Sequence, residues 1–96
     1  MEDIKWRHPF IRYIIKAYAT PALIRPMYVE AFDEKNLRDK VHYMKMSGDV
    51  HISAVEYVER DSRIEGAIKR CNFGSRNYDA NLQYLYNLNA DHPVDI

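Results

Sequence analysis

The chain has 96 residues, 47% of them hydrophobic and 29% charged, and its 14 basic and 14 acidic side chains leave a formal net charge of zero. That length holds one domain, residues 1–96, and one core with little margin. Zero net charge argues against a dedicated nucleic-acid binder, which draws much of its affinity from neutralising phosphates, and it removes a barrier to self-association.

Cys71 is the only cysteine, so no disulfide can form within the chain. This fits a reducing cytoplasm, either the protein's own or that of a cell it is delivered to. The opening Met1-Glu2-Asp3-Ile4-Lys5-Trp6 lacks the apolar run of a signal peptide. No apolar stretch approaches the length of a membrane span, and no membrane association is expected.

Residues 10–20 alternate. Ile11, Tyr13, Ile15, Ala17 and Ala19 form an apolar set, and Phe10, Arg12, Ile14, Lys16 and Tyr18 a mixed one. The pattern predicts a half-buried strand. A helix opened by Pro9 competes, since Phe10, Ile14 and Tyr18 stand four residues apart. Pro21 marks a turn, and Met27, Val29 and Ala31 alternate with Tyr28, Glu30 and Phe32 in a second strand. Pairing the two strands as a hairpin sets Ala17 opposite Met27, Ile15 opposite Val29 and Tyr13 opposite Ala31, all on one face. Pro26 points to an edge or a strand entry.

Asp33 is a good N-cap for a helix running to about Ser47, with Leu37, Val41 and Met44 along one side and Gly48 at its end. Val50 and Ile52 begin a third strand. The apolar phase then shifts to Val55 and Tyr57, which predicts a bulge near Ser53-Ala54, although a helix from Ser53 is an alternative. Asp61 or Ser62 caps the next helix, which carries Ile64, Ile68 and Cys71 and is weakened by Gly66. The capping-box spacing of Ser62 and Glu65 favours the serine. A last helix carries Tyr78, Leu82, Leu85 and Leu88 or Asn89, before His92-Pro93. The expected fold is α+β: a β-hairpin, a helix, a third antiparallel strand, then two helices.

His8, His42, His51 and His92 are scattered, and neither His-x-x-x-His nor Cys-x-x-Cys occurs, so no metal site or cofactor is expected. Cys71 falls on an apolar helix face and reads as a packing residue rather than a nucleophile, despite Lys69 and Arg70 beside it. Glu56, Glu59, Asp61 and Glu65 are interspersed with or followed by Arg60, Arg63, Lys69 and Arg70, as on a solvated, salt-bridged surface. No catalytic constellation stands out, so an enzyme is not expected.

Two surfaces are candidate sites. The hairpin's other face sets Lys16 opposite Tyr28, Ile14 opposite Glu30 and Arg12 opposite Phe32. With Phe10 and Tyr18, the side chains Phe10, Arg12, Lys16, Tyr18, Tyr28 and Phe32 have the composition of a protein interface. If the last two helices cover that face, it is a second core layer with snorkelling cations instead. The rival site is Lys69-Arg70-Cys71-Asn72-Phe73-Gly74-Ser75-Arg76. Lys69, Arg70, Phe73 and Arg76 would supply phosphate contacts and base stacking there, and a basic helix end explains the same cations.

Residues 11–58, with Met-Tyr-Val-Glu-Ala at 27–31 and Val-His-Ile-Ser-Ala-Val-Glu at 50–56, resemble the hairpin–helix–strand layout of many small orphan proteins of phages and mobile elements, among them anti-CRISPR and other anti-defence inhibitors. The resemblance spans about half the chain, is one of pattern, and transfers no functional residue. It implies a stoichiometric inhibitor or adaptor that blocks a host protein. The expected function is therefore a non-enzymatic protein-binding module of that kind, with homodimerisation through the hairpin compatible. Nucleic-acid or nucleotide binding through Lys69–Arg76 is the alternative.

Overall fold

The computed structural model describes residues 11–20, 24–71 and 76–96. Among these residues, three strands and three helices follow in the order β1 (Tyr13–Ala19), β2 (Pro26–Ala31), α1 (Glu34–Ser47), β3 (Val50–Tyr57), α2 (Ser62–Lys69) and α3 (Tyr78–Leu88). The strands form one antiparallel sheet in the order β2-β1-β3. This is the α+β arrangement the apolar periodicity predicts, and residues 13–19 form a strand rather than a helix.

The hairpin register matches the expectation: Tyr13 faces Ala31, Ile15 faces Val29 and Ala17 faces Met27. Any slip by one residue would turn Ile15, Ala17 and Ala31 out of the core. On the other side of β1, Lys16 faces Ala54 while Ala17 faces Ile52, so Ser53 is the extra residue of a bulge. The bulge reconciles two apolar phases within β3, because Ile52 and Val55 both reach the α1 side of the sheet.

Helix α1 begins where Asp33 accepts a 2.7 Å bond from the Asn36 amide and ends at Gly48, whose φ of +74° favours glycine. Its side chains Leu37 and Val41 pack on Ile15, Ala17, Ala31 and Val55, with Met44, Val50 and Ile52 partly buried around them. Helix α2 is capped by Asp61, which accepts from the Ile64 amide at 2.9 Å. The expectation of a Ser62 cap is corrected, and the reason is visible in Glu65. Its carboxylate is held by Arg60 Nη1 at 3.0 Å instead of reaching back to close a capping box.

The opposite face of the sheet carries a second apolar cluster. Ile11, Ile14, Tyr28 and Val58 lie under Ile64, Ala67, Ile68 and Cys71 near α2 and Leu82, Leu85 and Tyr86 of α3. The molecule is thus a three-layer stack, with α1 on one face of the sheet and α2 with α3 on the other. Asn89 stitches the end of α3 to the strand layer: its side chain accepts from the Glu59 amide at 2.8 Å and donates to the Leu85 carbonyl at 2.9 Å.

Candidate functional site

The second sheet face, whose aromatic and basic side chains predict a partner site, is divided in the structure. Tyr28 is buried, with its ring centroid 5.3 Å from that of Tyr86 on α3. Phe32 is half-buried against the same cluster, with Lys40 Nζ 5.4 Å from its ring centroid. Arg12, Lys16 and Tyr18 are half-buried, and Phe10 lies outside the described residues. Most of this face is a core layer, so the expectation of an open aromatic platform through Tyr28 and Phe32 is corrected. Two helices with strong apolar stripes need somewhere to bury them, and this face is the available surface. Lys16 fits the covered-face reading, half-buried with its ammonium 5.8 Å from the Tyr86 ring centroid.

Two carboxylates lie within that layer. Glu30 and Glu56 are both buried and flank Ile14 on its two sides in the sheet register. Each has a donor: the Tyr78 hydroxyl donates to Glu30 at 2.5 Å, and the His92 amide donates to Glu56 at 2.9 Å. Burial, then the hydrogen bond to the Glu30 carboxylate, pushes the Tyr78 hydroxyl well above the ordinary tyrosine range. Burial, with the Glu30 charge adding to it, pushes the Cys71 thiol up to about 11. Such a thiol is protonated at neutral pH, and its Sγ sits 3.5 Å from the Ala67 carbonyl. Burial and then the Glu56 charge raise Tyr86 in the same direction. These groups hold one another in place. Among the described residues, no three His, Cys, Asp or Glu side chains are grouped to hold a metal ion.

The rival basic site is described in part. Lys69, Arg70 and Arg76 are exposed at the connection between α2 and α3, and none of them has an ion pair among the described residues. Asn81 donates to the Arg70 carbonyl at 2.7 Å and fixes that end of α2 against α3. Phe73 lies outside the described residues.

A surface the periodicity did not single out is the end of the sheet where β1 meets β2. Helix α1 returns to this end, and Thr20 secures the junction: its amide donates to the Asp49 carbonyl at 2.9 Å and its hydroxyl to the Gly48 carbonyl at 3.2 Å. The turn between α1 and β3 is thereby tied to the tip of β1. Four large apolar side chains are exposed on these elements: Ile24 (85%), Met27 (38%), Tyr43 (78%) and Met46 (71%). Tyr43 and Met46 stand three residues apart on the outer side of α1, off the Leu37–Val41–Met44 stripe. That displacement from the buried stripe was the available sequence signal, because apolar residues on a helix's polar side have no core to serve. A groove of about 680 Å³ continues from this end, between Arg25–Tyr28 and Asp79, Ala80 and Gln83 of α3.

Among the described residues, no helix is long and apolar enough to cross a membrane. Comparison of the chain with protein-family models, curated proteins and solved structures finds no match.

Proposed function

We propose that the protein is a non-enzymatic protein-binding module that engages its partner through the hairpin end of the sheet. The observation that carries this reading is the exposure of Ile24, Met27, Tyr43 and Met46 on elements that share this end and are joined by Thr20. Four of the six large apolar side chains exposed among the described residues lie on these elements, with Tyr84 and Ile96 elsewhere, and a concentration of exposed apolar groups marks an interaction surface. Methionine suits such a surface because its unbranched thioether adapts to the partner's shape. Tyr18, half-buried near the tip of β1, borders the same end and supplies an aromatic ring to its rim. The specific form of the proposal, a phage-type stoichiometric inhibitor of a host protein, rests on the layout resemblance of residues 11–58.

The test is affinity purification with paired variants. Met46→Glu and Ile24→Glu place charge on the surface without touching the core, and both should lose a partner that the native chain retains. Arg63→Glu, on the exposed side of α2, should keep it. Equal retention by all four proteins would refute the hairpin-end assignment.

A second reading follows from Lys69, Arg70 and Arg76, each exposed and without an ion pair among the described residues. In that reading the α2–α3 connection contacts the phosphates of a nucleic acid. Oligonucleotide binding that weakens with salt and is lost in a Lys69→Gln, Arg70→Gln, Arg76→Gln variant would support it, and salt-insensitive or absent binding would remove it.

A further inference from the structure

Both edges of the sheet are guarded, by different means. At β2, Pro26 opens the strand without an N–H, and Lys40 Nζ donates to the Glu30 carbonyl. At β3 the guard is the chain itself. Pro93 bridges to Glu56 in antiparallel fashion, the Tyr57 amide donates to the His92 carbonyl at 2.8 Å, and the Val94 amide donates to the Val55 carbonyl at 2.8 Å. These two bonds bracket Glu56 and Pro93 as a non-hydrogen-bonded pair, which is why a residue with no N–H fits at position 93.

Side chains give this short strap its register. The buried Glu56 carboxylate accepts from the His92 amide, and Val94 packs against the α1-side cluster that contains Val55. The next residue, Asp95, lines a groove of about 610 Å³ whose opposite wall is α1, with Glu34, Arg38, Asp39, His42 and Lys45, of which Asp39 is paired with Lys35 at 3.0 Å. Arg38 is paired with Glu34 at 2.9 Å, whereas His42 and Lys45 have no ion pair among the described residues. An apolar floor of Tyr13, Leu37, Val41 and Val94 lies between the walls.

We infer that the Val55–Tyr57 edge of β3 is a strand-acceptor surface for an extended peptide of a partner, and that residues 92–94 fill it in the free chain. The seated segment specifies the occupant's chemistry. It runs antiparallel to β3, needs no N–H at the position of Pro93, places an aliphatic side chain where Val94 sits, and follows it with an acidic residue toward His42 and Lys45. Main-chain bonds supply affinity and the aliphatic seat supplies selectivity, as in strand addition generally. This proposal does not depend on the hairpin end, although His42 and Lys45 adjoin Tyr43 and Met46 on α1.

The test uses the full chain and a labelled peptide, Ala-Asp-His-Pro-Val-Asp-Ile, copying residues 90–96. In the native chain the attached strap competes at an effective concentration in the millimolar range, so the peptide binds weakly. Val94→Asp unseats the strap and should bind the peptide at least tenfold more tightly, with Val94→Ala falling between. A peptide with aspartate in place of its valine should not bind. Equal weak binding by the native chain and both variants, while both variants still unfold cooperatively, would overturn the inference. So would self-association of Val94→Asp without peptide binding, since the occupant would then be a second copy. Ile24→Glu, outside α1 and outside this groove, should leave peptide binding unchanged, which separates a failure here from a failure of the hairpin-end reading.

Discussion

Lys16 Nζ lies 5.8 Å from the centroid of the Tyr86 ring, a contact that joins the middle of β1 to α3. On one side of it, Ile14, Tyr28 and Glu30 are buried beneath the helices. On the other, Tyr18 and the start of β2 lead to the exposed side chains Ile24 and Met27. A face that reads as uniform in the sequence therefore has two fates, core and rim.

The α2 cap separates two readings of one short stretch. Asp61→Ala removes the acceptor of the Ile64 amide and should cost about 1 kcal/mol in chemical denaturation. Ser62→Ala should change stability by less than about 0.5 kcal/mol, since Glu65 is engaged by Arg60 and no capping box exists to lose.

Asn89 should be the most sensitive polar residue near the end of α3. It is buried, and both ends of its amide are used, by the Glu59 amide and the Leu85 carbonyl. Asn89→Leu strands the Glu59 N–H in a partly buried site and should destabilise the fold by about 1–3 kcal/mol in urea or thermal unfolding.

Alkaline pH should weaken the fold in a defined window. The Cys71 thiol is raised from 9.0 to about 11 in the folded chain. Below pH 9 both states keep the proton, so the full stability is present. Between 9 and 11 the unfolded chain loses its proton first, and stability falls as pH rises. Tyr78, raised in the same direction, adds to the loss at higher pH. Urea titrations between pH 8 and 11 should show this decline, and Cys71→Ala should flatten its first part. At neutral pH the native thiol should resist a disulfide reagent that reacts readily once urea unfolds the chain.

The strands and helices were legible because each carries its own period and punctuation. Ile15, Ala17, Val29 and Ala31 fix the hairpin register, the phase change from Ile52 to Val55 announces the bulge, and Asp33 with Gly48 brackets α1. The site was less legible. Alternation along β1 and β2 tells which side chains share a face, but not whether α2 and α3 lie across it, because that is decided by packing between distant segments. The partly buried strap at His92–Val94 was invisible for the same reason: its three residues carry no period, and its seat is made by Glu56 and Val55, more than thirty residues earlier.

The hairpin-end assignment is tested most directly by site-specific photocrosslinking in the cells that express the protein. A photoreactive residue is placed in turn at positions 24, 27 and 46, and at the exposed control positions 63 and 87. One discrete crosslinked protein, of the same mass, is expected from all three hairpin-end positions and none from the controls. Crosslinking confined to the controls, or a complete absence of product at 24, 27 and 46, would contradict it.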